Sequence, residues 1–345
     1  MRAAVVAFTR RGAALGARTA KVLGASLHVP PRLAGEIGAA AYASLAAWTA
    51  EHWSRCEALI FVGACGIAVR AVASHVRDKF TDPAVVVLDE GGQFAIPLLS
   101  GHMGGANDLA RALADLTGAQ AVITTATDVN GRFAIDLWAR ERDLAVTDRH
   151  LAREISAAVL EGKPVGFASD FAAVCPPGLS PRRENLGIFV TCRREREPFP
   201  RTLRLAPRCL ILGIGCRRGT REDAIAAAVD ASLWEAKLEP LAVKAAATIE
   251  LKAEEPGLLA FCRERDLPLR IYSAGELAVV PGTFTPSSFV RSVTGVDNVC
   301  ERAAAAGGGM LLLGKRAREG VTVAIALENP AGDFPEPGES ERETG

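Results

Sequence analysis

The chain has 345 residues, of which 40 are Lys or Arg and 40 are Asp or Glu, so its formal net charge at pH 7 is zero. About half of the residues are hydrophobic (49%), as expected for a globular protein. Without an excess of positive charge, the composition gives no electrostatic reason to expect a nucleic-acid or membrane partner. At roughly 150 residues per domain, the length favours two or three domains.

The eight cysteines show no metal-binding pattern, because no two form CxxC and no pair flanks a histidine at zinc-ligand spacing. We therefore expect free thiols in a reducing compartment. The first apolar stretch is too short for a signal peptide or a membrane span. These features predict a cytoplasmic protein.

Strands and helices alternate through residues 1–145. Helical patterns separate most of the short apolar runs that we predict as strands, which are AAVVAF, ALIFVGA, PAVVVLD, QFAIPLL and QAVITTA. The DEGGQ between the third and fourth runs is typical of a hairpin turn. The pattern predicts a three-layer α/β domain with one antiparallel strand.

The remaining chain divides into three segments. Residues 146–207 contain one helix (HLAREISAAVLEG), the strands KPVGFA and LGIFV, and an arginine-rich run that we interpret as a linker. The strand–helix pattern resumes over 208–327, and the acidic, proline-rich tail 328–345 is expected to be disordered. The predicted fold is α/β: two three-layer domains with mostly parallel sheets, joined by a small α/β middle segment.

The segment LLSGHMGGAND, residues 98–108, places a histidine among glycines just before a helix. Gly101, Gly104 and Gly105 would let the backbone approach a ligand, and His102 would sit at the rim of the sheet beside unpaired helix N–H groups. The alternative is a tight turn in which Asn107 or Asp108 caps the helix.

Two further loops follow predicted strands of this domain. TTATDVNG offers Thr124, Thr125 and Asp128 at the same expected edge, with helix capping by Thr127 or Asp128 as the alternative. GACGIAVRAV places Arg70 one turn into a helix. No Lys-Ser or Lys-Thr pair follows its glycines, so it is not a P-loop.

Glycines also mark the start of the last domain. LGIGCRRGTRED spaces them as GxGxxxG, one residue too long for a dinucleotide fingerprint, so it favours anion binding over NAD. ATIELKAEEPGLL clusters Lys252 and Glu255 with Glu250 and Glu254 before a helix; such a run either lines a site or is a solvated helix entry.

Several segments resemble the CbiG family of cobalamin-biosynthesis proteins, the cobalt-precorrin-5A hydrolases. They cover nearly the whole chain to about Leu327, and the middle region matches least. The segments are GACGIAVRAV to TTATDVNG (63–131), LILGIGCRRGT (210–220), TIELKAEEPGLL (248–259), TGVDNVCERAA (294–304) and GKR with GVTVAIA (314–326).

The resemblance implies an enzyme of the anaerobic route to vitamin B12 that opens the ring A lactone of cobalt-precorrin-5A and releases acetaldehyde. Lactone hydrolysis needs a base and oxyanion donors. His102 is the candidate base because imidazole titrates near neutral pH, with Asp108 and Asp128 as the other catalytic candidates. His102 could instead ligate the cobalt of the substrate. Gly101, Gly104 and Gly105 would supply the oxyanion donors.

The resemblance further implies a cobalt-corrinoid substrate with many acetate and propionate arms. It implies no separate cofactor, because cobalt belongs to the substrate, and neighbouring enzymes of the route are candidate partners. So wide a ligand would suit a cleft between domains. The candidate substrate-binding residues outside the glycine loop are Arg70, Asn107, Thr124, Thr125, Arg217, Arg218, Lys252, Glu255, Lys315 and Arg316.

Two other functions remain open on sequence grounds. A corrinoid carrier without catalysis would explain the same binding residues, and a nucleotide-dependent α/β enzyme would explain the glycine loops. Acetaldehyde release separates the first from a hydrolase, and a test of ATP or NAD binding disposes of the second.

Overall fold

A computed structural model describes residues 1–78, 81–102, 104–126 and 131–328. The chain divides into two compact units, Met1–Leu137 and Trp138–Gly345. Thr127, Asp128 and tail residues 329–345, all subjects of the predictions above, lie outside the described residues. Within the described part, no helix is long and apolar enough to cross a membrane.

The first unit contains a seven-stranded sheet with the order β3-β2-β1-β4-β5-β6-β7. Its strands are β1 (Ala3–Ala7), β2 (Ser26–Val29), β3 (Ala40–Ala41), β4 (Ala58–Val62), β5 (Ala84–Leu88), β6 (Phe94–Leu99) and β7 (Gln120–Ala121). Its helices are α1 (Arg10–Leu23), α2 (Pro31–Ile37), α3 (Leu45–Trp53), α4 (Cys65–Val72) and α5 (Ala106–Thr117), and α6 (Ile135–Glu141) crosses into the second unit.

Helices cover both faces of this sheet. Residues of α1 and α5, such as Leu15 and Leu113, pack on one face, whereas Trp48 of α3 and Val72 of α4 pack on the other. Strands β4 and β5 are buried along their whole length, which explains their unbroken apolar runs. The predicted three-layer arrangement is confirmed, although β2 and β3 were missed and β7 is much shorter than QAVITTA.

The DEGGQ hairpin, also confirmed, sets the direction of the next two strands. The carboxylate of Asp89 accepts the N–H groups of Gly91, Gln93 and Phe94, which closes the turn. As a result β6 runs antiparallel to β5, with Leu99 opposite Val85, and β7 runs parallel to β6. The carboxyl ends of β6 and β7 therefore lie at the amino edge of the sheet, where β5 begins.

The second unit begins with a four-stranded sheet of order β8-β11-β10-β9. Its elements are β8 (Leu144–Val146), α7 (Arg149–Leu160), β9 (Gly166–Ser169), β10 (Leu186–Val190) and β11 (Arg201–Pro207). Two predictions are corrected here. The predicted boundary at 145/146 falls inside β8, and residues 201–207 form a strand instead of a linker. Leu203 and Leu205 of β11 are buried. This alternation is typical of a strand, but the neighbouring arginines obscured it.

A five-stranded sheet of order β14-β13-β12-β16-β15 completes this unit. The strands are β12 (Leu210–Cys216), β13 (Val243–Ile249), β14 (Leu269–Tyr272), β15 (Met310–Arg318) and β16 (Val321–Leu327). The helices are α8 (Glu222–Glu235), α9 (Pro256–Glu264), α10 (Ala274–Ala278), α11 (Ser288–Thr294) and α12 (Cys300–Ala305), with 3₁₀ turns at Pro240–Ala242 and Glu250–Lys252.

The last sheet is again covered on both faces. Ile225 of α8 and Phe261 of α9 pack on one side, and Leu277 of α10 and Ala303 of α12 pack on the other. A Cβ at Gly213 of β12 would lie 1.8 Å from a backbone oxygen of α12, so this close crossing requires glycine.

Glu328 follows β16 directly. Its carboxylate pairs with Arg270 and with Lys244, the latter at 2.9 Å. Because two cations hold this side chain against the sheet, placing residue 328 in a disordered tail was wrong.

Candidate functional site

The loop that carries His102 joins β6 to α5 at the amino edge of the first sheet. The hydroxyl of Ser100 donates to the backbone oxygen of Asp82 at 2.9 Å, and a Cβ at Gly104 would lie 3.3 Å from the backbone nitrogen of Ala84. His102 itself is half-buried. The loop follows the carboxyl end of β6, as predicted, but the hairpin reverses β6, so this end lies at the amino edge of the neighbouring strands.

The backbone of this loop closes on itself. The N–H of Gly105 donates to His102 O at 3.1 Å, that of Ala106 to Ser100 O at 3.1 Å, and that of Asn107 to Gly101 O at 3.0 Å. The prediction of unpaired N–H groups at the helix start is therefore wrong at these three positions. Gly105 is the N-cap residue with φ 80°, so the helix does not begin behind an Asn107 or Asp108 cap.

The two polar loops at this edge do meet, as their sequences predicted. The amide nitrogen of Asn107, a residue only 3% exposed, donates to the Thr125 hydroxyl at 2.8 Å. A Cβ at Gly101 would lie 2.8 Å from the Asn107 side-chain oxygen, so the tie also requires this glycine. Thr124 is exposed beside it. Asn107 and Thr125 thus join the loops to each other.

Asp108 forms an ion pair on the helix surface, and Arg70 lies at the other edge of the sheet. Asp108 pairs with Arg111 at 3.1 Å on the surface of α5. The Arg70 guanidinium donates to Gly66 O at 3.0 Å, near the start of α4 and hence at the carboxyl edge. A five-residue strand spans about 15 Å, so Arg70 and His102 lie well apart at opposite edges of the sheet.

The second unit contains a cavity of about 640 Å³, which we call the basic cavity. Four predicted residues, Arg217, Arg218, Lys252 and Lys315, line it together with Arg318. Its apolar lining includes Leu251, Val290, Val293 and Val299. The basic cavity therefore combines a cationic lining with an apolar one. Sequence reasoning missed Arg318, which ends β15 at the hairpin before β16.

Arg316 does not belong to the basic cavity, which corrects the prediction. Its guanidinium donates to Glu235 of α8 at 2.7 Å, on the face of the sheet that α8 covers. Successive side chains of a strand point to opposite faces, so Lys315 lines the cavity and Arg316 points away from it.

Glu255 holds the glycine loop of this site in place. Its carboxylate, in a residue 7% exposed, accepts the Gly219 N–H at 2.5 Å and the Lys252 ammonium at 3.2 Å. Burial raises the pKa of Glu255, but these two donors outweigh burial and leave the pKa below its ordinary value. Glu255 also lines a second cavity of about 710 Å³, to which Arg218 and Lys252 contribute as well.

A buried carboxylate that sequence reasoning missed supports the other side of the basic cavity. Glu301, 2% exposed, accepts the N–H and hydroxyl of Thr285 at 2.6 and 3.0 Å. It also accepts the Asn298 amide at 2.8 Å and the Lys315 N–H at 2.6 Å. The signal was the Asn-x-x-Glu spacing, since the Glu301 N–H donates back to Asn298.

Two thiols line the basic cavity. Burial raises the pKa of Cys216, and it raises the pKa of Cys300 to about 11. Burial therefore favours the neutral, less nucleophilic form of both thiols.

Three family models match the chain in order. Their descriptions are "Cobalamin synthesis G N-terminal" over residues 47–128, "Cobalamin biosynthesis central region" over 133–207 and "Cobalamin synthesis G C-terminus" over 210–326. The last two ranges correspond to the four-stranded and five-stranded sheets of the second unit.

Relatives along the whole chain carry consistent names. The chain is 36% identical over 340 residues to a cobalt-precorrin-5A hydrolase of Salmonella typhimurium, which covers 94% of this chain and 97% of the relative. It is 31% identical over 294 residues to one from Priestia megaterium, at 79% and 78% coverage. A solved cobalamin biosynthesis protein G homolog from Sulfolobus solfataricus matches with 21% identity and a TM-score of 0.41, at 95% and 97% coverage. The chain belongs to the CbiG family of cobalamin-biosynthesis proteins.

Proposed function

We propose that the chain hydrolyses the ring A lactone of cobalt-precorrin-5A, giving cobalt-precorrin-5B and acetaldehyde. The observation that carries this proposal is the 36% identity over 340 residues to the Salmonella hydrolase, because it spans nearly all of both chains. The chain is accordingly an enzyme of cobalamin biosynthesis, and a carrier without catalysis is not favoured.

The basic cavity is the proposed binding site for the macrocycle in the second unit. Arg217, Arg218, Lys252 and Lys315 offer charge-assisted hydrogen bonds to acetate and propionate arms. The apolar part of the lining, which includes Val290, suits the flat ring. A substrate that is apolar at its centre and anionic around its rim requires this combination.

The proposed chemistry has two steps. A water molecule attacks the lactone carbonyl while His102 accepts its proton, and the ring C–O bond breaks to leave a carboxylate and an alcohol. Loss of the alcohol proton then cleaves the adjacent carbon–carbon bond. Acetaldehyde leaves, and the electron pair passes into the conjugated macrocycle, which is protonated. The N–H of Gly105 donates to His102 O and so is not an oxyanion donor, which leaves the N–H groups of Gly101 and Gly104 as the proposed donors.

The proposal includes no cofactor, since the macrocycle itself accepts the electrons of the second step. It also includes a cytoplasmic location, which is supported by the eight free cysteines, the state expected in a reducing compartment. Neighbouring enzymes of the route, which supply this substrate and consume its product, are the proposed partners.

The decisive measurement is acetaldehyde release. Purified protein supplied with cobalt-precorrin-5A without oxygen should release one acetaldehyde per corrinoid consumed, and the corrinoid product should gain water and lose acetaldehyde by mass. Binding without acetaldehyde would contradict the proposal and support a carrier. A shift in melting temperature with ATP or NAD would instead support a nucleotide-dependent enzyme.

The two faces of β15 provide a prediction for substrate affinity. Lys315→Gln should weaken binding of the substrate about tenfold, because it removes a cation from the basic cavity. Arg316→Gln should change affinity less than about twofold, because that guanidinium contacts Glu235 on the other face. Titration at two ionic strengths checks this: the Lys315 effect should be larger at low salt, where charges are less screened. Equal losses in both variants would contradict the assignment of Lys315 to the cavity.

A further inference from the structure

The first unit contains a cavity that the sequence did not indicate. Its volume is about 420 Å³, and we call it the Arg77 cavity. Its lining residues are Ala50, Trp53, Ser54, Cys56, His75, Arg77, Thr81 and Asp82.

The Arg77 cavity lies at the same edge of the sheet as the loop of His102. Helix α4 starts beyond the carboxyl end of β4 and runs back across the sheet, so the residues after it, His75 and Arg77, reach the amino edge. Asp82 precedes β5 and shares this edge. Its backbone oxygen accepts the Ser100 hydroxyl at 2.9 Å, which attaches the His102 loop to the cavity wall.

Asp82 also fixes the segment that carries Arg77. Its carboxylate, in a residue 9% exposed, accepts the N–H groups of Arg77 at 2.8 Å and Asp78 at 2.9 Å. One residue thus holds the Arg77 backbone through its side chain and the His102 loop through its main chain. These three hydrogen bonds of Asp82 fix the distance between the Arg77 cavity and the His102 loop.

The lining suits a carboxylate ligand. The Oδ2 atom of Asp82 accepts two main-chain N–H groups, which offset part of its negative charge. The other polar side chains include Arg77, His75 and the hydroxyls of Ser54 and Thr81. The His75 ring packs on Trp53 with centroids 5.6 Å apart, which limits its motion. A guanidinium with an adjacent imidazole and hydroxyls can bind a carboxylate through several charge-assisted hydrogen bonds.

We propose that the Arg77 cavity binds a carboxylate arm of the corrinoid substrate, with Arg77 as the charged contact and His75 as a second donor. This inference rests on the proposed function for the identity of the substrate. It replaces Arg70, whose guanidinium lies at the opposite edge of the sheet. A carboxylate anchored here is held beside the loop that carries His102.

Binding of a stable corrinoid tests this assignment without turnover. Cobyrinic acid has free acetate and propionate arms, and its full methyl ester has the same ring without the charges. Arg77→Gln in the full-length protein should weaken binding of cobyrinic acid about tenfold and leave binding of the ester unchanged. His75→Gln should cause a smaller loss that is likewise confined to the acid, and Arg77→Lys should restore part of the affinity. The matched control is Arg18→Gln, an exposed arginine of α1 on the other face of the sheet.

Four outcomes would overturn the inference: no binding of cobyrinic acid by the wild-type protein, equal losses in Arg77→Gln and Arg18→Gln, a loss in Arg77→Gln that also affects the ester, or a larger loss in Arg70→Gln than in Arg77→Gln. Failure of the proposed function is distinguishable from these. In that case acetaldehyde release is absent while the Arg77 effect on acid binding persists.

Discussion

Replacement of His102 by glutamine should reduce acetaldehyde release from cobalt-precorrin-5A by about 10²–10⁴-fold, the usual contribution of one positioned acid–base group. Substrate affinity should change far less, because glutamine keeps hydrogen-bonding capacity but accepts no proton at neutral pH. Single-turnover rates and equilibrium binding, measured separately, test both expectations.

The matched control for this variant is His150→Gln, at an exposed position on α7 in the other unit, which should retain wild-type turnover. Normal turnover in His102→Gln with weakened binding and a changed cobalt absorption spectrum would make His102 a cobalt ligand or an anchor. The base would then be sought at Asp108 or Asp128. If neither turnover nor binding affinity changes in His102→Gln, the glycine loop has only the structural role of a turn.

The sequence predicted that the two polar loops would meet, but it did not predict that they would meet at the amino edge of the sheet. Alternating apolar runs and the DEGGQ turn were sufficient to predict a three-layer domain and the reversal of β6, whereas the reversal of β7, which pairs parallel to β6, was not predicted. Which residues surround the His102 loop depends on strand order, because only the pairing of β6 with β5 places Ser100 beside Asp82. The same pairing separates Arg70 from His102 and brings in Arg77, which no local motif marks.

The basic cavity shows a similar limit at the level of single side chains. Four of its cations could be predicted because glycine loops and strand ends gather such residues. Alternation places Lys315 and Arg316 on opposite faces, but the sequence could not tell which of them faces the cavity, since β15 contains register shifts between Leu311 and Leu313 and between Leu313 and Arg316. These irregularities decide which face each side chain takes, and composition does not reveal them.

Glu301 was missed for a different reason. An acid in the first turn of a helix is ordinarily an exposed partner of the helix dipole, whereas here it is buried and accepts four donors. Two of the donors bond each oxygen: Thr285 N–H and the Asn298 amide bond Oε2, and the Thr285 hydroxyl and Lys315 N–H bond Oε1. The carboxylate therefore fixes both Lys315 and the segment before α11 around the basic cavity.

Glu301→Gln should lower the free energy of unfolding of the second unit by about 3 kcal/mol, because an amide has one oxygen where the network needs two. If its nitrogen takes the Oε1 position, the Thr285 hydroxyl can reverse but the Lys315 N–H loses its acceptor. If it takes the Oε2 position, the Thr285 N–H and the Asn298 amide both lose theirs. Thermal and urea unfolding measure the loss, and faster hydrogen exchange at the Lys315 N–H locates it. Glu235→Gln, which removes only an exposed ion pair with Arg316, should cost at most about 1 kcal/mol. Equal destabilisation by the two variants would show that the buried network does not hold this wall of the cavity.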